Sequence, residues 1–395
     1  MVAAPELLAS LQADCPRKEL LEAVQTVGHA VSGRSALPIL SHILIKAENN
    51  GLRLIATDLE LGISCRIANA QIREVGALTA PARTLTEVLA NLPDKADVAI
   101  SVDKSHTVRV KSEKSDYKIL GLPAEEYPNL PDVTDAVAFA LPQTTLKEMI
   151  RQTAFAVSPD DNRPILTGIL MVFDGETLKL VATDTHRLAV KTAIIKDGRG
   201  SQNAIVPARA MNELTRLLSD AEGDVQVALS NNQVRFSLPG EAEVQIVARL
   251  IEGQFPNFQR VVPQEFHKRL LIPTQPLLRA VRRAHIVARE SANRVVFRTD
   301  GDKLVITAES QQVGNAHEEI ELTVREGDDV EIAFNAKYLL DLLNVLTEET
   351  LTMELSESLK PGLVRPVPTP PKDSETNPLT LTPDYLCVLM PMQIV

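Results

Sequence analysis

The chain repeats itself at a constant spacing of 126 residues. Three pairs of matching segments share this spacing: AVSGRSALPIL (30–40) and AVSPDDNRPIL (156–166), LIATD (54–58) and LVATD (180–184), and PAR (81–83) and PAR (207–209). Three matches at one offset are hard to obtain by chance, so they indicate that one unit was copied. A unit of this length is a domain rather than a short solenoid repeat. The positions at which the copies differ are therefore the best places to look for function.

Each copy contains the same predicted elements in the same order. Helical periodicity comes first, and it predicts helices that carry Leu20, Leu21, Val24, Val27 and Val31 in one copy and Leu146, Met149, Ile150, Thr153 and Val157 in the next. A β-hairpin follows, with its turn at Asn50-Gly51 or Asp174-Gly175, and a second helix begins after Pro81 or Pro207. Further alternating strands close each copy, which predicts two helices and about eight short strands in an α+β unit.

Residues 270–358 follow the same order with weaker identity and form a third copy. The linkers EEYPNLPDV (125–133) and QFPNFQRVVP (254–263) match each other and separate the copies. The sequence therefore predicts domains at residues 1–133, 134–264 and 265–395. The Pro-rich segment 361–383 predicts a surface loop before a final apolar tail.

Composition narrows the class of protein. Of the 395 residues, 44% are hydrophobic and 24% are charged, as in soluble globular proteins, and no apolar run reaches 18 residues. Three widely spaced cysteines and no recognisable signal peptide favour a cytoplasmic protein without a disulfide framework, metal site or cofactor. The net charge of −11 argues against a nucleic-acid binder, but a sum hides any local basic surface.

Together, the three copies, the motif TDTHRL (183–188), the linker FPNF (255–258) and the tail VLMPM (388–392) resemble the bacterial DNA polymerase III beta subunits, the sliding clamps. The resemblance covers essentially the whole chain. It implies two-helix, two-sheet clamp domains and a head-to-tail homodimer that forms a closed six-domain ring around double-stranded DNA. It further implies a protein that is not an enzyme, and partners that include the replicative DNA polymerase, the clamp loader and other proteins with clamp-binding motifs.

Basic residues on the predicted helices are candidates for the inner surface of such a ring. A sliding ring needs a field that centres the polyanion without gripping it. The resemblance adds loop residues to the helical ones, and the full set of DNA-binding candidates is Arg34, Lys147, Arg151, Arg163, Arg209, Arg216, Arg279, Arg282, Arg283 and Arg294. A solvated helix face is the alternative interpretation for any one helix.

The second copy holds His186-Arg187 where the first has Glu60-Leu61. One hypothesis makes Asp184 and His186 an acid/base pair of a hydrolase, but the sequence shows no nucleophile motif or metal motif beside them. Because Asp58 recurs without a nearby His, the aspartate is predicted to bind backbone at the end of a strand.

The resemblance instead implies a groove for partner peptides between the second and third copies. Its residues fall on Leu166, Thr183, His186, Arg187, Leu188, Pro256, Arg260, Val261, Tyr338, Val388, Met390, Pro391 and Met392. Two methionines around a stiff proline offer adaptable apolar surface. The alternative for the tail is a last core strand.

The resemblance places the dimer interface on Tyr117 and Ile119 of the first copy and on Ile286 and Val287 of the third. All four residues are apolar, as a ring-closing contact requires, although ordinary core positions would be apolar too. A peptide-binding adaptor that never encircles DNA is the alternative function, and it would share the groove but remain a monomer.

Overall fold

The computed structural model of the protein describes residues 10–33, 37–134, 136–195, 200–368 and 384–394. These residues form six α-helices and 26 strands, and the strands make four antiparallel sheets. The helices are α1 (Arg17–Gly28), α2 (Ala82–Ala90), α3 (Gln143–Ala154), α4 (Ala208–Leu217), α5 (Thr274–Ala288) and α6 (Ala336–Leu343). No helix among the described residues is long and apolar enough to cross a membrane.

The strands follow the three copies along the chain. In the first copy they are β1 (Leu11–Pro16), β2 (His42–Glu48), β3 (Gly51–Thr57), β4 (Leu61–Ile67), β5 (Gln71–Glu74), β6 (Gly76–Pro81), β7 (Asp97–Val102), β8 (Thr107–Ser112) and β9 (Ser115–Leu120). In the second they are β10 (Val137–Pro142), β11 (Gly168–Asp174), β12 (Thr177–Thr183), β13 (Arg187–Ile194), β14 (Ser201–Pro207), β15 (Asp224–Leu229), β16 (Gln233–Ser237) and β17 (Gln245–Arg249). In the third they are β18 (Lys268–Pro273), β19 (Arg294–Asp300), β20 (Lys303–Ser310), β21 (Gly314–Glu321), β22 (Val324–Glu326), β23 (Glu331–Asn335), β24 (Thr350–Leu355), β25 (Gly362–Pro366) and β26 (Tyr385–Leu389).

The described chain divides into two compact units. The first unit comprises the described residues up to Leu146 together with Asn212–Leu250, and the second comprises Lys147–Ile195, Gly200–Met211 and the described residues from Ile251 onward. The first unit holds the sheets β5-β1-β7-β8-β9 and β10-β15-β16-β17-β4-β3-β2-β6. The second unit holds the sheets β14-β11-β12-β13-β26-β25-β24-β18-β22 and β21-β20-β19-β23.

Two of these sheets join strands from different copies, and we call the two junctions seams. At the first seam, β17 pairs with β4, with Ile246 opposite Ile63 and Ala248 opposite Leu61. At the second seam, β26 pairs with β13. Sheet continuity therefore explains why the second copy contributes strands to both compact units.

The predicted local elements form, with small differences at their ends. The hairpins β2–β3 and β11–β12 turn at the predicted glycines Gly51 and Gly175. The helices end earlier than predicted, at Gly28 and Ala154, so Val31 and Val157 lie beyond them. There the chain turns back, because the N–H of Ser158 donates to the carbonyl of Leu166 at 2.8 Å, and Ser32 makes the equivalent bond to Leu40.

The three cysteines are free thiols buried in the core: Cys15, Cys65 and Cys387. Desolvation raises the pKa of each thiol to about 12, which keeps all three protonated at neutral pH. Within the Pro-rich segment predicted as a loop, residues 362–366 form β25, whereas residues 369–383 lie outside the described ranges.

Candidate functional site

A pocket of about 160 Å³ opens in the second compact unit. Its lining residues are Leu166, Thr183, Thr185, Arg187, Leu188, Pro256, Phe258, Val261, Val388 and Met390. Eight of these ten belong to the predicted peptide groove. Thr185 and Phe258 also line the pocket, and sequence reasoning did not identify them, although Phe258 closes the FPNF linker that did stand out.

The second seam builds the floor of this pocket. Pairing of β13 with β26 sets Leu188 directly opposite Val388, and both side chains are almost fully buried. The N–H of Met390 then donates to the carbonyl of His186 at 2.9 Å, which carries the tail past the end of the strand pair. A strand pair from two distant parts of the chain thus creates an apolar floor beside a polar turn.

The linker forms the opposite wall. Val261 follows the 3₁₀ turn Phe258–Arg260 and keeps 37% of its surface exposed. Partly exposed apolar side chains above an apolar floor favour an apolar ligand, because each buried CH₂ of that ligand contributes about 0.8 kcal/mol.

The turn Thr183–Arg187 is built by its own side chains. Oδ1 of Asp184 accepts from the N–H groups of His186 and Arg187 at 2.9 and 3.0 Å. Asp58 accepts from Glu60 and Leu61 in the same way in the first copy. The prediction of a structural aspartate at the strand end is therefore confirmed.

One residue of this turn is strained. Thr185 has φ +80°, and Leu59, 126 residues earlier, has φ +78°. A β-branched residue rarely adopts positive φ, and such strain persists only where the surrounding structure enforces it. The turn is therefore a fixed feature of both copies, and in the second copy it carries a residue that lines the pocket.

Arg187 is buried, and three acceptors surround its guanidinium. Nε donates to Asp184 at 3.1 Å, Nη1 to Asp341 of α6 at 2.6 Å and Nη2 to the carbonyl of Phe155 at 2.5 Å. The same group lies 4.5 Å from the ring centroid of Tyr338. Because its guanidinium is bonded to groups of the protein itself, Arg187 positions the pocket wall, and the aliphatic part of its side chain is the part that can contact a ligand.

His186 is exposed, and its ring stacks on Tyr338 at 6.1 Å between centroids. Asp184 binds the backbone of His186 and the side chain of Arg187. This geometry contradicts the hypothesis of an Asp184–His186 acid/base pair, because the carboxylate is used by other donors. Among the described residues, no cluster of three or more His, Cys, Asp or Glu side chains could hold a metal ion.

Five predicted groove residues lie outside the pocket lining: His186, Arg260, Tyr338, Pro391 and Met392. Met392 instead bridges to β23, where its N–H donates to the carbonyl of Ala333 at 2.8 Å. Arg260 is exposed at the end of the linker turn.

The candidate DNA contacts lie mainly on exposed positions of α3, α4 and α5. The exposed ones are Arg151, Arg163, Arg209, Arg216, Arg279, Arg282 and Arg283, while Lys147 and Arg294 are half-buried. Arg34 lies outside the described residues.

Several of these cations have local partners. Arg216 pairs with Glu213 at 2.9 Å, Arg163 pairs with Asp160 at 3.0 Å, and Arg283 pairs with Glu318. Hydrogen bonds from Asn162 and then from Arg163 hold the pKa of Asp160 below its usual value. Local carboxylates therefore weaken the positive field that these helices present.

The candidate interface residues differ in exposure. Tyr117 is partly exposed on β9, whereas Ile119 is 7% exposed and belongs to the buried face of its sheet. On α5, Ile286 is exposed and Val287 is half-buried. Both β9 and β21 lie at the edge of their sheets.

Comparisons with known proteins agree along the whole chain. Residues 11–131, 140–257 and 259–379 match the N-terminal, central and C-terminal domains of the DNA polymerase III beta subunit. Beta sliding clamps of Staphylococcus aureus and Staphylococcus epidermidis are 33% and 32% identical over 345 residues, which are 85% of this chain and 90% of each relative.

Solved structures agree as well. The DNA polymerase sliding clamp of Bacillus subtilis has a TM-score of 0.89 at 29% identity, and the Pseudomonas aeruginosa sliding clamp bound to griselimycin has 0.88 at 30%. Each comparison covers 98% of this chain and 100% of the other. The chain therefore belongs to the DNA polymerase III beta subunit family, the beta sliding clamps.

Proposed function

We propose that the chain is a DNA sliding clamp. Two copies close head to tail into a ring of six two-helix, two-sheet domains, which encircles duplex DNA without sequence specificity. The ring tethers the replicative polymerase and other clamp-binding proteins, after a clamp loader has opened it. The proposal makes it a processivity factor rather than an enzyme, and it places the protein in the cytoplasm with the chromosome.

The observation that carries this proposal is the match between two internal seams and two free edges. Leu61 of β4 and Arg187 of β13 are separated by the 126-residue spacing, so the two seams use equivalent strands. In the third copy, β21 pairs with β20 as β4 pairs with β3 and β13 with β12, so β21 is the equivalent of β4 and β13. In the first copy, β9 pairs with β8 as β17 pairs with β16 and β26 with β25, so β9 is the equivalent of β17 and β26. The edges β9 and β21 therefore complement each other between two chains as β17 and β4 do within one.

The internal seams also predict the register of this contact. Tyr117 occupies the place on β9, opposite β8, that Ile246 occupies on β17, opposite β16. Glu318 occupies the place on β21, opposite β20, that Ile63 occupies on β4, opposite β3. Since Ile246 lies opposite Ile63, the register sets Tyr117 opposite Glu318 of the partner. A heterologous contact of this kind closes into a ring when the rotation between units is right.

Charge supports the same pairing. The β8–β9 hairpin carries four cations, Arg109, Lys111, Lys114 and Lys118, against two carboxylates, Glu113 and Asp116. Strand β21 carries Glu318, Glu319 and Glu321. Opposite charges on the two edges favour this contact and disfavour pairing of like edges.

The exposed cations of α3, α4 and α5, together with Arg34 and Arg163, are proposed to face the DNA.

The pocket of the second seam is proposed to receive partner peptides. The Pseudomonas aeruginosa sliding clamp, with 30% identity to this chain, was solved bound to griselimycin, which supports a ligand-binding pocket on this fold. Domain limits at 133 and 264 are proposed from the linkers, and the matched segments end close to both.

Replacing Ile286 by Asp tests the ring. Ile286 is 55% exposed, so the fold tolerates the change, but two carboxylates would be buried in one dimer. We expect the variant dimer to dissociate at micromolar protein. Its association should be at least about 100-fold weaker than that of the unmodified chain, and each tenfold corresponds to about 1.4 kcal/mol. Sedimentation velocity separates a dimer from the 43.2 kDa chain.

The matched control is Ile194→Asp, which changes a 73% exposed isoleucine at the end of β13 and should leave the dimer intact. If the unmodified protein sediments as a monomer at micromolar concentration, the ring is wrong, and the adaptor that never encircles DNA takes its place.

A further inference from the structure

The first seam contains the same framework as the peptide pocket of the second. Leu40, Thr57 and Val247 occupy the places of Leu166, Thr183 and Val388, as the 126-residue spacing and the shared strand register show. All three are buried. The framework is therefore duplicated, and the question is what fills it in the first unit.

Leu130 of the first linker fills the position at the first seam that corresponds to the floor of the pocket at the second seam. Gly62 stands where the second seam has Leu188, and a Cβ on Gly62 would lie 2.1 Å from Cδ2 of Leu130. Leu130 therefore occupies the volume that a floor side chain would need. Its equivalent in the second linker is Phe258, which lines an open pocket instead.

Val133 closes the wall. It is 8% exposed and packs in one cluster with Val247 and Ala228. Its equivalent Val261 stays 37% exposed over an open floor. Both apolar side chains of the first linker thus reach the groove.

A hydrogen-bonded tyrosine holds the first linker down. The hydroxyl of Tyr127 donates to the carbonyl of His42 at 3.1 Å and accepts from the N–H of Thr57 at 3.2 Å. The second linker has Phe255 at this place, which cannot make either bond. The first linker is therefore tied to its seam by two hydrogen bonds that the second linker cannot form.

We propose that Leu130 and Val133 are internal occupants of a latent second groove for apolar peptides, and that they limit the chain to one peptide. The inference rests on the proposed peptide-binding role of the second-seam pocket. It assigns the first linker a part in specificity, since partners are directed to one seam.

The first experiment tests, without any ligand, whether Leu130 occupies the floor of the first seam. Gly62→Leu forces a side chain into the volume of Leu130, so it should lower the thermal unfolding midpoint. Adding Leu130→Ala should restore most of that midpoint, although Leu130→Ala alone also lowers it. If the two changes are simply additive, Leu130 does not occupy the floor and the inference is overturned.

The second experiment counts ligands by calorimetry with griselimycin. The unmodified chain should bind one molecule, and a folded Leu130→Ala/Val133→Ala chain should bind two. A stoichiometry that stays at one in the folded variant would contradict the latent groove. No binding to the unmodified chain would instead contradict the proposed pocket. The Gly62 experiment would still decide whether Leu130 occupies the floor of the first seam.

Discussion

Replacing Val261 by Trp is expected to lower griselimycin affinity by at least about 100-fold, with the unfolding midpoint unchanged. Val261 stands at the rim of a pocket of about 160 Å³ and is 37% exposed, so a larger side chain can turn inward without displacing the core. A ligand excluded from the apolar floor loses the burial that drives its binding, and 100-fold corresponds to about 2.7 kcal/mol. Isothermal titration calorimetry measures both affinity and stoichiometry.

Val75→Trp is the matched control. Val75 is 51% exposed in the turn between β5 and β6 of the first unit, so its replacement adds the same bulk away from the pocket. It should bind griselimycin as the unmodified chain does. Full affinity in Val261→Trp would show that ligands bind elsewhere.

Replacing Arg187 by Ala is expected to lower the free energy of unfolding by about 3–5 kcal/mol. The change removes a buried cation, so Oδ2 of Asp184, the carboxylate of Asp341 and the carbonyl of Phe155 lose the hydrogen bonds that the guanidinium donates. Breaking a buried pair is costly because the remaining charge stays desolvated. Urea unfolding measures the loss.

Arg83→Ala provides the comparison, because it removes an exposed arginine of α2 that pairs with the exposed Glu87. An exposed pair contributes about 0–1 kcal/mol, so this variant should unfold almost as the parent does. Adding Asp341→Asn to Arg187→Ala should recover part of the loss, since one unpaired charge disappears. A cost below about 1 kcal/mol for Arg187→Ala would contradict the assignment of Arg187 as the residue that fixes the pocket wall.

Local elements were predictable because their signals are local. The hairpin at Asn50-Gly51 and the helices after Pro81 and Pro207 depend on neighbouring residues, and they form within a few positions of the prediction. The copy-specific His186-Arg187 also stood out, because the comparison between copies needs no structure. The helix ends at Gly28 and Ala154 did not, since tertiary packing of the following loop decides them.

Contacts over long sequence separations were not predictable from the residues. Arg187 meets Asp341 across 154 positions, and no local pattern links the two. The strained φ of Thr185 is likewise invisible in a Thr-Asp-Thr-His string, because the turn geometry follows from the bonds of Asp184. Residues of the groove could be assigned early only through the resemblance to a family, and the backbone bridge between Met392 and Ala333 could not be predicted at all.

The most direct test of the ring is its lifetime on DNA of different topology. Labelled protein is assembled by a clamp loader on a nicked circular plasmid, separated from free protein, and then followed before and after a restriction enzyme linearises the plasmid. A ring held by topology should remain on the circle and slide off the ends of the linear form, with a lifetime at least about tenfold shorter, because its contacts to phosphates are weak and carry no sequence preference. Equal lifetimes on the two forms would contradict encirclement and leave only direct binding to DNA.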